Sequence, residues 1–190
     1  MNYLIVVNKT NLITNDYFND LELVYCKDVL GDTVQLEKET YNSYVKLKKY
    51  LEQLNIIVEI DSAFRSLEEQ QRIIDEYTVK YGQEYVDTHV APIRTSEHHT
   101  GLAIDLALIV NGKKCIDPDE LFPHEDIYLS IHKQLSKYGF ILRYPKGKEN
   151  ITGYNYEPWH IRYVGEDIAN YIYKNNLTLE EYLLEKNIRR

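Results

Sequence analysis

The spacing of apolar positions changes several times along the chain, and each spacing predicts an element. Between residues 39 and 54, Tyr41, Tyr44, Val45, Tyr50, Leu51 and Leu54 recur with helical periodicity, which predicts an amphipathic helix. Residues 4–7 and 56–60 are short apolar runs that read as strands. Residues 102–110 are apolar at almost every position and predict a central strand. Asn111-Gly112 follows, a pair that tolerates the positive φ angles of a tight hairpin, so residues 113–116 should return antiparallel. Residues 125–138 look helical, with Gly139 as the stop, and residues 140–144 and 161–164 predict two further strands. Ser66 with Glu69 has the form of a capping box, opening a helix that runs to about Tyr81. Thr178 with Glu181 repeats that signature before a C-terminal helix. Short strands, an antiparallel hairpin and interspersed helices predict the α+β class.

Polar residues that interrupt this pattern carry the chemistry. Asp105 stands inside the apolar run, on the side of the strand shared with Ala103, while Leu102, Ile104 and Leu106 face the other way. A carboxylate there is costly unless its charge is compensated, by a metal ion, a salt bridge or backbone amides. Gly101 permits a sharp turn that brings the preceding histidines back towards Asp105, and Ala103 leaves room beside them. By spacing, either His98 or His99 can be a ligand; the other is then a supporting or surface residue. A second stretch, Tyr156-Glu157-Pro158-Trp159-His160, sets a carboxylate and an imidazole three residues apart. Pro158 fixes its own φ and holds Glu157 extended, and Trp159 can lock the segment. The alternative is a core tryptophan beside a hydrogen-bonded buried histidine.

Two histidines and one aspartate make a three-ligand catalytic zinc site with a fourth position open, and zinc brings the pKa of bound water to ~7. Glu157 is then the candidate general base. Arg65, in Ser62-Ala63-Phe64-Arg65-Ser66 at a strand-to-helix turn, is the candidate donor to a developing oxyanion. A cation at a helix start is mildly unfavourable, which favours a functional reason for it.

Composition narrows the remaining classes. A length of 190 residues suits one domain with its own core, so residues 1–190 are read as a single catalytic domain. The net charge of −8 argues against nucleic acid as a partner, because phosphate binding needs a basic face. Cys26 and Cys115 form no C-x-x-C pair, which excludes a zinc knuckle or a dithiol redox site. The first apolar run is too short for a secretion signal, and no stretch reaches the ~20 apolar residues of a membrane span. The expectation is a soluble, cytoplasmic protein with no membrane span.

The pattern Ser96-x-His98-x-x-Gly101-x-Ala103-x-Asp105, followed by Glu157-x-x-His160, resembles the D-Ala-D-Ala zinc metallopeptidases, and more narrowly their VanY and VanXY-type members associated with vancomycin resistance. Phe64-Arg65-Ser66 with Gln70, the run from Tyr138 to Pro145, and Ile151-Thr152-Gly153 extend the likeness over about residues 3 to 165. The resemblance implies one Zn²⁺ per chain on His98, Asp105 and His160, with Glu157 as base and Arg65 on the substrate carbonyl. It implies that Ser96 and Gln70 hold substrate. It also implies a small antiparallel sheet flanked by helices, the fold shared with the hedgehog signalling domain. The expected substrates are small D-amino-acid-terminated peptides: D-Ala-D-Ala itself, or cytoplasmic peptidoglycan pentapeptide precursors. Their removal would confer glycopeptide resistance. The competing expectations are a phage-type L-Ala-D-Glu endopeptidase and a non-catalytic zinc-stabilised binding module. Two departures from the family pattern bear on substrate preference: Ala91-Pro92-Ile93-Arg94-Thr95 replaces a Pro-Gly turn, and Ser62-Ala63-Phe64 precedes Arg65.

Overall fold

In the computed structural model, which describes residues 1–187 with no side-chain account of residues 88 and 89, the chain alternates short strands and helices. A hairpin of β1 (Leu23–Lys27) and β2 (Thr33–Glu37) leads into helix α1 (Lys38–Gln53). Then come β3 (Val58–Ser62), α2 (Leu67–Tyr81) and α3 (Gln83–His89), a 3₁₀ turn at Glu97–Thr100, and the hairpin of β4 (Ala103–Val110) and β5 (Lys113–Cys115). The rest is α4 (Pro118–Leu121), α5 (Glu125–Leu135), β6 (Phe140–Leu142), α6 (Glu149–Thr152), β7 (His160–Tyr163), α7 (Glu166–Asn175) and α8 (Leu179–Glu185). The main sheet is antiparallel, in the order β3-β4-β7-β6, with β5 added to β4. This is the expected α+β architecture with β4 at its centre.

Local chemistry explains the boundaries. The Glu37 carboxylate caps α1 by accepting from the Thr40 amide at 2.8 Å. Ser66 Oγ accepts from the Glu69 amide at 3.0 Å, but the Glu69 carboxylate turns to Arg72, so only half of that box closes. Both halves close at Thr178 and Glu181. Asn111 and Gly112 both adopt positive φ, as a two-residue hairpin requires. Ile104, Leu106 and Leu108 of β4 pack with Leu47 and Leu51 of α1 and Tyr128 and Ile131 of α5 in the main core. A second cluster joins Ile141 to Ala169 and Ile172 of α7, Leu179 and Leu183 of α8, and Val6.

Residues 4–7 are buried in part but form no strand. The carbonyls of Tyr3 and Ile5 accept instead from the Arg162 guanidinium, at 3.0 and 2.8 Å, so the segment meets the sheet through a side chain. The hairpin of β1 and β2 and helices α3 and α7 were not anticipated from the sequence. The C-terminal residues 188–190 of the expected single domain lie outside the described residues. Among the described residues, no helix is long and apolar enough to cross a membrane.

Candidate functional site

Sheet register brings the first two groups together. Asp105 of β4 pairs with Ser62 of β3 on one side and with His160 of β7 on the other. Directly paired residues project to the same face, so the carboxylate and the imidazole meet as a consequence of pairing. Their closest atoms, Asp105 Oδ1 and His160 Nδ1, are 2.9 Å apart. The third group arrives through the turn before β4. Gly101 has φ 70°, and a Cβ there would lie 3.1 Å from the Glu37 amide nitrogen, so the bend needs glycine twice over. The bend carries His98 Nε2 to 3.1 Å from Asp105 Oδ2.

Protonation shows what this cluster needs. His98 Nδ1 lies 2.8 Å from the Ala63 carbonyl, which can only accept, so Nδ1 carries the proton and Nε2 presents a lone pair. Burial lowers the His98 pKa and Asp105 pulls it up. In its neutral form the ring would turn the Nε2 lone pair to a carboxylate oxygen, an arrangement that a cation between them relieves. Burial would raise the Asp105 pKa, but His98 and His160 outweigh it and hold the group ionised, far below the usual range. Burial likewise opposes charge on His160, and Asp105 and Glu97 override it in the upward direction. Donor atoms of His98, Asp105 and His160 all lie within 4.8 Å of one another, the spacing and chemistry of a metal site. Nitrogen and oxygen donors of this kind suit zinc among other divalent ions.

The same geometry separates the two adjacent histidines. His99 is fully buried, and its Nδ1–H donates to the Arg65 carbonyl at 2.7 Å. With the Arg65 amide donating to the His98 carbonyl at 3.2 Å, the turn is tied to the segment that carries Arg65. His99 is thus a supporting residue rather than a ligand or a surface one.

A cavity of about 230 Å³ opens on this cluster, lined by Arg65, Ser96, His98, Asp105, Glu157 and His160, with Tyr144, Tyr154 and Trp159 as aromatic walls. The main chain holds Glu157 from both sides: its amide donates to Tyr144, and its carbonyl accepts from His160, each at 3.2 Å. Its carboxylate lies 3.7 Å from His160 Nδ1. Burial raises the Glu157 pKa to about 7; Asp105 and Glu97 add to that and His160 opposes it. Such a carboxyl can exchange a proton near neutrality. Arg65 reaches the cavity with its guanidinium steadied by Ser62 Oγ at 3.0 Å and Gln70 Oε1 at 3.1 Å.

Gln70 is placed differently from the expectation that it holds substrate. It is fully buried, its amide nitrogen donates to the Ala91 carbonyl at 2.7 Å, and it does not line the cavity. Its link to the site runs through Arg65. Ser96 does line the cavity, and its hydroxyl accepts from the His98 amide at 3.4 Å.

Sequence reasoning passed over a buried ion chain behind the cluster. Glu97 Oε1 accepts from Arg143 at 2.7 Å and from Arg162 at 2.6 Å, and Arg143 also grips Glu180 of α8 at 2.9 and 2.5 Å. All four side chains are fully buried. Burial would raise the Glu97 pKa, but Arg143 and Arg162 reverse that and keep it ionised. The signal was available: Arg143 and Arg162 interrupt apolar runs just as Asp105 does.

A family model described as VanY, D-alanyl-D-alanine carboxypeptidase, matches residues 33–166. The bifunctional D-Ala-D-Ala dipeptidase and carboxypeptidase VanXYC of Enterococcus gallinarum is 44% identical over 122 residues, covering 60% of each chain. A crystal structure of a variant of the vancomycin-resistance D,D-pentapeptidase VanY with Zn(II) is 32% identical, with a TM-score of 0.77 over 95% of this chain and 98% of that one. The LD-carboxypeptidase LdcB is 33% identical, with a TM-score of 0.79 over 94% and 84% of the two chains. The chain spans 43% to 65% of the length of the curated relatives it matches.

Proposed function

Since the chain belongs to the VanY family of D-alanyl-D-alanine carboxypeptidases, we propose that it is a zinc-dependent peptidase that removes a terminal D-alanine from short cell-wall peptides. The observation that carries this reading is the convergence of His98, Asp105 and His160 beside Glu157 and Arg65 in one cavity. His98 through Nε2, Asp105 through its carboxylate and His160 through Nδ1 would hold the zinc ion. When bound, zinc supplies a Lewis acid that polarises the scissile carbonyl and eases deprotonation of water.

The chain's own groups supply the rest. Glu157 takes the proton of the attacking water and delivers it to the leaving amine, a task that its pKa of about 7 suits. Arg65 donates to the carbonyl oxygen as negative charge builds there, and its tethers to Ser62 and Gln70 keep it aimed before substrate arrives. Ser96 is the candidate donor to the substrate's terminal carboxylate, and Gln70 serves indirectly by positioning Arg65. Tyr144, Tyr154 and Trp159 give the cavity walls against which a methyl side chain can pack.

The substrates we propose are D-Ala-D-Ala and pentapeptide precursors that end in it, whose loss would deprive vancomycin of its target. A second reading, an L,D-carboxypeptidase, is favoured by the likeness to LdcB. Zinc content, measured with release of D-alanine from dipeptide, pentapeptide and tetrapeptide side by side, separates the two. Glu157→Ala should retain the metal and lose release from every peptide. Absence of zinc from the purified protein, or equal turnover by that variant, would end the proposal.

A further inference from the structure

The ring of His160 is held on both nitrogens. Nδ1 points to Asp105 at 2.9 Å, and Nε2 points to Glu97 Oε2 at 3.4 Å. Glu97 presents that oxygen because its other one is taken by two guanidinium groups, Arg143 at 2.7 Å and Arg162 at 2.6 Å. Arg143 is fixed in turn by two bonds to Glu180, and its amide donates to the His160 carbonyl at 3.2 Å. Two carboxylates and two guanidiniums make a neutral buried quartet in which Glu97 Oε2 accepts from neither guanidinium and is aimed at His160. An imidazole that gives its Nε2–H to a carboxylate has its Nδ1 lone pair fixed in place and made more basic.

We infer that Glu97 is a positioning residue: it accepts the Nε2–H of His160, which commits Nδ1 to the metal, and the Arg143–Arg162–Glu180 frame holds it in that role. This rests on the metal-binding reading above and goes beyond it, because it assigns part of the zinc affinity to a group that never touches the ion. Removing an outer partner of a ligating histidine weakens metal binding by about 10- to 100-fold. Glu97→Gln keeps the shape and an acceptor oxygen but loses the charge.

The test has two arms on the full chain loaded with zinc. Competition against a chromophoric chelator should show Glu97→Gln binding zinc about 10- to 100-fold more weakly than wild type; unchanged affinity in a folded variant would overturn the inference. The second arm needs no variant. Ring ¹⁵N shifts of His160 in the wild-type zinc protein should show a metal-bound Nδ1 and a protonated Nε2, an assignment that a purely structural role for Glu97 would not require. A metal-bound Nε2 would overturn the inference, and this arm decides the matter if Glu97→Gln fails to fold. If the wild-type protein takes up no zinc, the metal-binding reading fails and takes this inference with it. Uptake with the opposite ring assignment refutes this inference alone.

Discussion

Replacing Glu180, which does not itself line the cavity, with glutamine should destabilise the protein. Glu180 lies on α8 and is fully buried against Arg143, which it holds by two bonds at 2.9 and 2.5 Å. The quartet of Glu97, Glu180, Arg143 and Arg162 is neutral; the substitution leaves a net positive charge in a fully buried site. Breaking a buried pair from one side costs about 3–5 kcal/mol. For a chain of this length each kcal/mol moves Tm by roughly 2–4 °C, so the expected fall is about 6–20 °C. Thermal and urea unfolding at one fixed zinc concentration would measure it, since bound metal adds its own stabilisation. The double variant Arg143→Met/Glu180→Met removes one charge of each sign while Arg162 still holds Glu97. It should therefore be less destabilised than Glu180→Met alone, with a coupling of about 1 kcal/mol or more. A Glu180→Gln variant whose Tm falls by less than about 2 °C would refute the reasoning, because it would mean the charge is screened or relocated at little cost.

Three further outcomes bear on the site. His98→Ala should lose bound metal and become less stable, because the ligands are brought together only by folding; full metal occupancy by elemental analysis would contradict the ligand assignment. Arg65→Ala should lower kcat by roughly 10²- to 10³-fold with a much smaller change in KM, since its donors act as charge develops; steady-state kinetics showing the reverse split would make it a ground-state binder. Gly101→Ala should cost about 1–2 kcal/mol from its left-handed backbone alone, and more from the contact with the Glu37 amide; a variant with unchanged Tm and metal content would show that the turn can re-form another way.

Much of this was legible in the sequence because single residues carried strong constraints. The apolar run ending in Asn111-Gly112 could only be a strand entering a tight hairpin, and Gly139, with φ 77°, closed the 3₁₀ turn of residues 136–138 that follows α5. The carboxylate inside that run announced a site, and the histidine of Glu157-Pro158-Trp159-His160 completed it. The choice between His98 and His99 was not legible from spacing, because it turns on which ring the Gly101 bend carries inwards; only the resemblance named His98. The hairpin of β1 and β2 was missed although Thr33-Val34-Gln35-Leu36-Glu37 alternates polar and apolar residues; Leu23-Val24-Tyr25-Cys26 does not, and both strands are short and mostly half-buried or exposed. Residues 4–7 misled for the opposite reason: apolar side chains predicted a strand, while Arg162 took the carbonyls a neighbouring strand would have needed. Gln70 was read as a substrate contact because the resemblance puts it where relatives hold substrate; that its amide nitrogen bonds the Ala91 carbonyl is a property of packing.

Asp105 and His160 face each other as partners across β4 and β7. A slip of one residue in that pairing would send the two side chains to opposite faces of the sheet, leaving nothing for an ion to bridge. On the proposed ligand set, metal uptake would therefore double as a proofreading signal for the zipper between these strands: a misaligned chain would stay empty, and loading would report that the sheet has closed in register.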